Sequence, residues 1–176
     1  APALAPVAVG HGPTAFPQYP ARTTGESQVA MLTHRNMVAN VLQAHAWVQS
    51  TFQSAVPETT ITALPLYHIF ALTANCLLFV MLGWQNVLIT NPRDIPALIA
   101  EMRKYPFMFF AGVNTLFNTL LNSPDFASVD FTRLRCTLGG GMAVQAAVAE
   151  RWKKATGKVL TQAWGLTETS PAACIN

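Results

Sequence analysis

The sequence predicts an α/β fold, a mostly parallel sheet with helices on both faces. Strand-like and helix-like stretches alternate about four times between residues 59 and 162. The strand-like stretches are continuously apolar instead of alternating, most clearly in residues 107–111, and this pattern is typical of parallel strands covered on both sides. The chain has 176 residues, which is long enough for one domain with a substantial core.

Local signals place the elements along the chain. Thr33 is the predicted N-cap of the first helix, and residues behind it recur at helical spacing. These recurring positions are Met37, Val38, Val41, Leu42, His45 and Val48. The predicted strands are 59–66, 86–90, 107–111, 134–138 and 158–162. The predicted helices are 69–82, 94–104 with Asp94 as N-cap, 113–121, and 144–155 with Gly157 as its stop.

The domain boundaries follow from composition. Residues 1–18 are rich in Ala, Pro and Gly, and we expect them to form a flexible lead-in. Residues 19–176 are predicted to form a single α/β domain, or part of a larger one.

The low charge of the chain raises the question of a membrane span. Hydrophobic residues make up 51% and charged residues 11%, against roughly 25% charged in an average soluble domain. Residues 59–92 contain no Asp, Glu, Lys or Arg. A spanning helix needs about 20 predominantly apolar residues, and Pro65, His68 and Asn75 interrupt this stretch. A buried strand followed by a buried helix explains it better.

Charge and cysteine content exclude further classes. The formal net charge is +3, and the cluster of Arg151, Lys153 and Lys154 fits a solvated helix face better than a nucleic-acid site. The cysteines, at positions 76, 136 and 174, form no CxxC pair and no metal-binding spacing. An odd count without pattern favours a reducing compartment.

Two polar clusters follow predicted strands at the points where those strands end. One is a glycine triplet, and the other brings a ring, a glycine, a hydroxyl and a carboxylate within five positions of each other. The residues concerned are Gly139, Gly140, Gly141, Trp164, Gly165, Thr167 and Glu168. A ring suits a base, a hydroxyl a phosphate, and a carboxylate Mg²⁺. In one parallel sheet both clusters would open on the carboxyl edge, where such sheets bind ligands; the alternative is an ordinary turn with a buried Trp.

Two other features allow a functional or a structural interpretation. Thr23, Thr24 and Gly25 offer hydroxyls and a flexible backbone for phosphate, or form a plain loop. His68 is either a satisfied core histidine or a polar group at the mouth of an apolar pocket, where it would meet a carboxylate. The chain contains no G-x-x-x-x-G-K-[ST], G-x-G-x-x-G or G-x-S-x-G motif, so an esterase-like hydrolase is disfavoured.

Taken in order, the motifs resemble the acyl-adenylate-forming superfamily and look most like bacterial long-chain fatty-acid–CoA ligases. They are T-T-G, M-L-T-H-R-N, L-P-L-Y-H-I-F, N-P-R-D-I-P, G-V-N-T-L-F-N, G-G-G-M and W-G-L-T-E-T. The resemblance covers residues 18–176. It implies attack of a fatty carboxylate on the α-phosphorus of ATP, which gives acyl-adenylate and pyrophosphate, followed by attack of the CoA thiol.

The resemblance also implies residue roles. Thr23, Thr24 and Gly25 would lie in the phosphate loop. His68 would lie near the acyl carboxylate, and residues 112–115 would line the acyl pocket. The triplet 139–141 would pass under the adenine, and Trp164, with Gly165 beside it, would take the place of the family's usual Tyr against its face. Thr167 would contact the α-phosphate, and Glu168 would ligate Mg²⁺.

The chain departs from the family pattern in its phosphate loop. Pro20, Ala21 and Arg22, and later Glu26, stand in a loop from which two glycines and the lysine are missing. The chain also ends soon after Glu168, and we expect it to lack the family's ribose-binding aspartate and lysine-bearing C-terminal domain. The resulting alternatives are an incomplete ligase and a non-catalytic fragment that holds at most fatty acid or nucleotide. The resemblance implies a cytoplasmic location with peripheral contact on the inner membrane face, and exposed apolar surface would favour oligomers.

Overall fold

The structure, a computed structural model, describes residues 5, 7–19, 29–52 and 56–176. Its strands are β1 Thr14–Gln18, β2 Ala30–Thr33, β3 Thr59–Thr62, β4 Gln85–Leu88, β5 Phe109–Gly112, β6 Cys136–Gly139, β7 Leu160–Gly165 and β8 Ala172–Ile175. Its α-helices are α1 His34–Val48, α2 Ile69–Ala71, α3 Leu78–Met81, α4 Ile95–Lys104, α5 Asn114–Asn122 and α6 Ala146–Thr156. A π-helical segment, Leu72–Leu77, joins α2 to α3, and short 3-10 helices span Pro124–Ser128 and Thr167–Thr169.

The main sheet confirms the predicted α/β class. In the described part of the chain it has six strands in the order β4-β3-β5-β6-β7-β8. β4, β3, β5, β6 and β7 are parallel to their neighbours, and β8 pairs antiparallel with β7. The parallel strands therefore all end at one edge of the sheet, which is where the candidate site residues lie.

Helices cover both faces of the sheet, so the central strands β5 and β6 are buried at every position. Ile61 and Phe110 pack into one cluster with residues of α4, α5 and α6, whereas Phe109 and Leu138 pack into a second cluster with residues of α1 and α3. Trp152 of α6 is fully buried at the centre of the first cluster. Neighbouring residues on a strand thus enter different cores, as expected for a doubly covered parallel sheet.

The predicted helix boundaries are confirmed where a local signal defines them. Asn36 N–H donates to Thr33 Oγ1 at 3.2 Å, and Thr33 N–H donates to Asn36 Oδ1 at 3.1 Å, forming a capping box. Ala97 N–H donates to Asp94 Oδ1 at 3.1 Å. Gly157 ends α6 with φ of 72°, a left-handed conformation that glycine adopts without strain.

The predicted lead-in is wrong for part of its length. Thr14–Gln18 forms β1, which pairs antiparallel with β2. Ala15 and Phe16 pack against a small apolar cluster that includes Leu32 and Met37. Burial of these side chains stabilises a strand in a segment whose composition indicates a loop. The boundary between residues 1–18 and 19–176 stays a prediction.

Other differences concern segment ends and the buried face of α1. The strand predicted for 59–66 ends at Thr62, and the strand predicted for 158–162 continues to Gly165. Val38 and Leu42 are 56% and 52% exposed, although helical spacing placed them on the apolar face of α1. Asn40 is buried. The face of α1 that packs against the rest of the fold is therefore rotated from the face that the apolar pattern indicates.

The charge-free stretch 59–92 folds as the sequence predicts. β3 is followed by the continuous helical segment from Ile69 to Met81, which buries Phe70, Ala71 and Phe79. Among the described residues, no helix is long and apolar enough to cross a membrane.

An ion pair at the amino edge of the sheet generates a stability prediction. Arg133 Nη2 lies 2.5 and 2.6 Å from the two carboxylate oxygens of Glu58, whose side chain is 7% exposed. Arg133→Ala removes these two hydrogen bonds and the ion pair, and we expect it to lower the free energy of unfolding by about 2 kcal/mol, less than for a fully buried pair because Arg133 is about half exposed. Urea denaturation measures the change. Exposed Arg135→Ala is the control, and equal stability of the two variants would contradict the prediction.

Cysteine accessibility tests the placement of β6. Burial raises the pKa of the Cys136 thiol to about 12, whereas Cys174 on β8 is exposed. Because the thiolate is the nucleophile, we expect iodoacetamide at about pH 8 to alkylate Cys174 in the folded chain and Cys136 only after unfolding in urea. Peptide mass spectrometry distinguishes the two sites. Alkylation of folded Cys136 at the rate of Cys174 would show that β6 is not central.

Candidate functional site

The pairing of β6 with β7 brings the two predicted polar clusters to one edge of the sheet. These strands are parallel, with Gly139 opposite Gln162. Gly140 and Gly141 follow β6 directly, and Trp164 and Gly165 end β7. The glycine triplet and the tryptophan–glutamate turn therefore share one rim, as expected from the sequence.

The rim surrounds a cavity of about 330 Å³, which we call the rim cavity. Its mouth has mixed polar and aromatic character and is formed by His68, Gly140, Gly141, Trp164, Thr167 and Glu168. Its body lies between α1, the helical segment Ile69–Met81 and the sheet, and is apolar. Residues of the body include Ala44, Trp47, Val48, Phe70, Leu78 and Phe109. The cavity thus joins a polar mouth to an apolar interior.

Close packing at the mouth requires glycine. A Cβ on Gly140 would lie 3.0 Å from Cζ of Phe70 and 3.3 Å from the carbonyl oxygen of Ala163. Gly141 has φ of 75°, a left-handed conformation that disfavours other residues. A Cβ on Gly165 would overlap the carbonyl group of Pro171. At these three glycines, where the ends of β6 and β7 form the mouth, the backbone therefore carries no side chain.

Gly139 and the loop after the glycine triplet make their contacts beneath the mouth, with Val144 and with α5. Gly139 is buried in β6, where a Cβ would lie 2.6 Å from Cγ2 of Val144. Gln145 N–H donates to Oδ1 of Asn114 at 2.9 Å, which attaches this loop to α5. Gly139 is thus a packing residue beneath the mouth, while Gly140 and Gly141 line it.

His68 has a defined orientation at the mouth. It is exposed and is the N-cap of α2, where its Nδ1 accepts from Phe70 N–H at 3.2 Å. In the neutral ring the proton is therefore on Nε2, which leaves an N–H donor for a ligand. This places His68 at the mouth of an apolar pocket, one of the two sequence interpretations, and not in the core.

A second cavity, of about 890 Å³, meets the rim cavity at His68, Phe70 and Gly141. Val113 and Thr115 line this second cavity, so part of the segment 112–115 predicted to form the acyl pocket lies here. Gly112 instead belongs to β5, where a Cβ would lie 3.0 Å from Cζ of Phe117. Thr23, Thr24 and Gly25 of the predicted phosphate loop fall outside the described residues.

The segment that carries Thr167 and Glu168 is attached to two walls of the rim cavity. Asn40 Nδ2 donates to the carbonyl oxygen of Ala172 at 2.8 Å, and Thr73 Oγ1 donates to that of Ser170 at 3.3 Å. Neither residue is among the site residues predicted from the sequence. A signal existed for Asn40, because an amide at position 40 lies beside Val41 on a helix face that is otherwise apolar.

A family model described as AMP-binding enzyme matches residues 5–176. The long-chain-fatty-acid–CoA ligase of Escherichia coli O6:H1 is 56% identical over 162 residues, which cover 92% of this chain and 29% of that protein. The Bacillus subtilis protein of the same name is 30% identical over 159 residues, covering 90% of this chain and 28% of its own. The chain thus spans about 29% of the length of the curated relatives that it matches.

Solved structures agree with this assignment. ATP-bound MatB from Rhodopseudomonas palustris superimposes with a TM-score of 0.84 at 26% identity, covering 99% of this chain and 33% of that one. The o-succinylbenzoate CoA synthetase of Bacillus subtilis, in complex with ATP and magnesium, has a TM-score of 0.78 over 96% of this chain and 33% of its own, and at 22% identity it supports the fold alone. The chain belongs to the AMP-binding enzyme family.

Proposed function

We propose that this chain forms the acyl-adenylate-binding part of an ATP-dependent long-chain fatty-acid–CoA ligase. The observation that carries the proposal is the rim cavity, which joins a polar mouth to an apolar body. An acyl-adenylate has the same division, a nucleotide joined through its phosphate to an apolar chain. The relatives named as long-chain-fatty-acid–CoA ligases support the choice of a fatty acid.

The mouth suits an adenine base. Gly140 and Gly141 present backbone without side chains, and the Trp164 side chain is 61% exposed beside them. A base can insert against the glycine backbone and stack on the indole, since aromatic rings bind bases through their π-faces. In this proposal, the Thr167 hydroxyl hydrogen-bonds the α-phosphate.

The donors at the mouth also fit Mg²⁺. Among the described residues, no three His, Cys, Asp or Glu side chains are grouped to hold a metal ion, so this part of the protein offers no cage made of its side chains alone. Mg²⁺ is commonly bound by one or two carboxylates together with substrate phosphates, and Glu168 supplies an exposed carboxylate at the mouth. When bound, Mg²⁺ would neutralise phosphate charge, and Glu168 would be its protein ligand.

The apolar body suits a fatty acyl chain. Trp47, Leu78 and Phe109 line it, and each methylene that leaves water on binding contributes about 0.8 kcal/mol. At the mouth, the Nε2–H of His68 would donate to the acyl carboxylate and orient it towards the nucleotide. This proposal moves the acyl pocket from segment 112–115 to the space between α1 and the sheet.

The proposed reaction then depends on positioning. A carboxylate oxygen attacks the α-phosphorus, forming the acyl-adenylate while pyrophosphate leaves, and the CoA thiol next attacks the acyl carbon and releases AMP. His68 orients the attacking carboxylate, and Thr167 bonds the phosphate on which charge develops. The second cavity reaches the mouth at His68 and Gly141, which offers the thiol a route separate from that of the nucleotide. A cytoplasmic location with peripheral membrane contact is part of this proposal.

The composition of the phosphate loop favours a second candidate, a non-catalytic fragment that retains binding. This loop contains Pro20 and Glu26 and has no lysine between Tyr19 and Met31. A carboxylate there would repel the triphosphate, and a missing lysine removes a cation that would offset its charge. Binding and turnover therefore need separate measurements.

Binding is tested by calorimetric titration with a non-hydrolysable acyl-adenylate analogue. We expect Trp164→Ala to weaken binding about tenfold because it removes the stacking ring, whereas Trp164→Phe keeps a ring and most of the affinity. Glu168→Ala should weaken binding in the presence of Mg²⁺, with Glu101→Ala in α4, outside the rim cavity, as the control. No heat with the unmodified chain, or unchanged affinity in both alanine variants at the mouth, would contradict the proposed site.

Turnover is tested by ATP–pyrophosphate exchange with palmitate and Mg²⁺, beside a full-length relative. The altered phosphate loop leads us to expect exchange at least about a hundredfold below that of the relative, since a single lost charged or oxyanion-type contact costs this much. A rate equal to that of the relative would contradict this expectation. Exchange that disappears in His68→Ala and remains in Tyr67→Ala would support the role of His68 in orienting the carboxylate.

A further inference from the structure

Asn40 of α1 makes three hydrogen bonds to the segment that follows Glu168. Its Nδ2 donates to the carbonyl oxygen of Ala172 at 2.8 Å and to that of Thr169 at 3.4 Å. Its Oδ1 accepts from Ala172 N–H at 3.2 Å. The residue is 5% exposed, so these bonds satisfy an amide that would be costly to bury unpaired.

Thr73 binds the same segment from a second helical element. It lies in the π-helical segment Leu72–Leu77, is 1% exposed, and its Oγ1 donates to the carbonyl oxygen of Ser170 at 3.3 Å. Helical interruptions of this kind often occur at functional sites. Two buried side chains from separate helices therefore bind successive carbonyl groups of one short stretch.

This stretch connects β7 to β8, where Gly165 pairs with Ala172, and Thr169 Oγ1 accepts from Leu166 N–H at 2.9 Å within it. Thr167–Thr169 is a single 3-10 turn, with Thr169 N–H donating to Leu166 at 3.1 Å and Ser170 N–H to Thr167 at 3.2 Å. Such short helices have weak intrinsic stability. Besides these local bonds and the strand pairing, the attachment of residues 169–172 to α1 and to the π-helical segment positions Thr167 and Glu168 at the mouth.

The burial of Asn40 is not explained by the stability of its own helix. Asn is a poor helix former, and at position 40 it stands among Met37, Val41 and Ala44, where an apolar residue would suit packing. Both polar atoms of its side-chain amide hydrogen-bond to the 169–172 segment. Nδ2 makes one further contact, with Oε1 of Gln43 at 3.5 Å. Its hydrogen bonds indicate that this side chain serves the turn more than the helix.

We propose that Asn40 and Thr73 are positioning residues that hold the Thr167–Glu168 turn in the geometry that binds Mg²⁺ and phosphate. The role of the turn rests on the proposed function, whereas the attachment itself is independent of any ligand. Both residues also line the rim cavity, so they connect the walls around the acyl chain to the turn at the nucleotide.

Amide hydrogen exchange without ligand tests the attachment. Thr73→Val removes one hydrogen-bond donor at nearly constant volume. We expect the backbone N–H groups of Thr169 and Ser170 to exchange about tenfold faster, although Thr73 bonds only the carbonyl oxygen of Ser170 and neither N–H group. Asn40→Leu should do the same, while Thr73→Ser restores the wild-type rates. Thr156→Val is the matched control, since Thr156 Oγ1 donates to the Trp152 carbonyl oxygen in α6, away from the turn.

In all variants the amides of Phe110 and Ala111 in β5 report on the sheet as a whole. Faster exchange confined to the turn supports the proposal. Unchanged turn amides in both Thr73→Val and Asn40→Leu, or equal acceleration in β5, would overturn it.

ATP titration with Mg²⁺ and with EDTA tests the functional consequence. We expect Thr73→Val to weaken ATP binding about tenfold with Mg²⁺ and much less with EDTA, and Thr73→Ser to restore it. A variant that merely destabilises the fold would weaken both equally, and that result would overturn the positioning role. Absence of ATP binding by the unmodified chain would contradict the proposed function, and the exchange rates would still decide whether Asn40 and Thr73 hold the turn.

Discussion

The parallel pairing of β6 with β7 is the constraint on which the candidate site depends. It places Gly140 against the backbone of Ala163 and directs the chain after both strands to the same edge. A side chain at Gly140 would meet Phe70 and the Ala163 carbonyl group at close range, so the narrow approach depends on glycine. Because the β6–β7 ladder ends with Gly139 opposite Gln162, residues 140–141 and 163–168 leave it side by side and together form the mouth.

Features encoded over a few neighbouring residues could be predicted from the sequence. The N-caps at Thr33 and Asp94, the glycine stop at Gly157 and the apolar strands all follow from local chemistry. Strand pairing between distant segments could not be predicted in the same way. Phe16 in β1 depends on an apolar cluster formed by β2 and α1, and β8 depends on the edge of β7.

Side-chain roles show the same division. The position of Trp164 at a strand end could be inferred from sequence, and so could the sharing of one rim with the glycine triplet. The amide at position 40 could be noticed on an apolar helix face, but its role could not be inferred, because its partners lie 129 and 132 residues away. The acyl pocket that we propose differs from the predicted segment 112–115 for a related reason. Its walls come from α1, from the helical segment Ile69–Met81 and from the sheet. Because these elements are distant in sequence, no single stretch of the chain identifies the pocket.

The central claim is that one mouth receives a nucleotide between the glycine backbone and the indole. A crystal structure of the chain soaked with ATP and Mg²⁺ tests it most directly. The account predicts adenine density between the Gly140–Gly141 backbone and the Trp164 ring, with metal density beside Glu168. Nucleotide density elsewhere on the protein, or an empty mouth at saturating ATP, would contradict it.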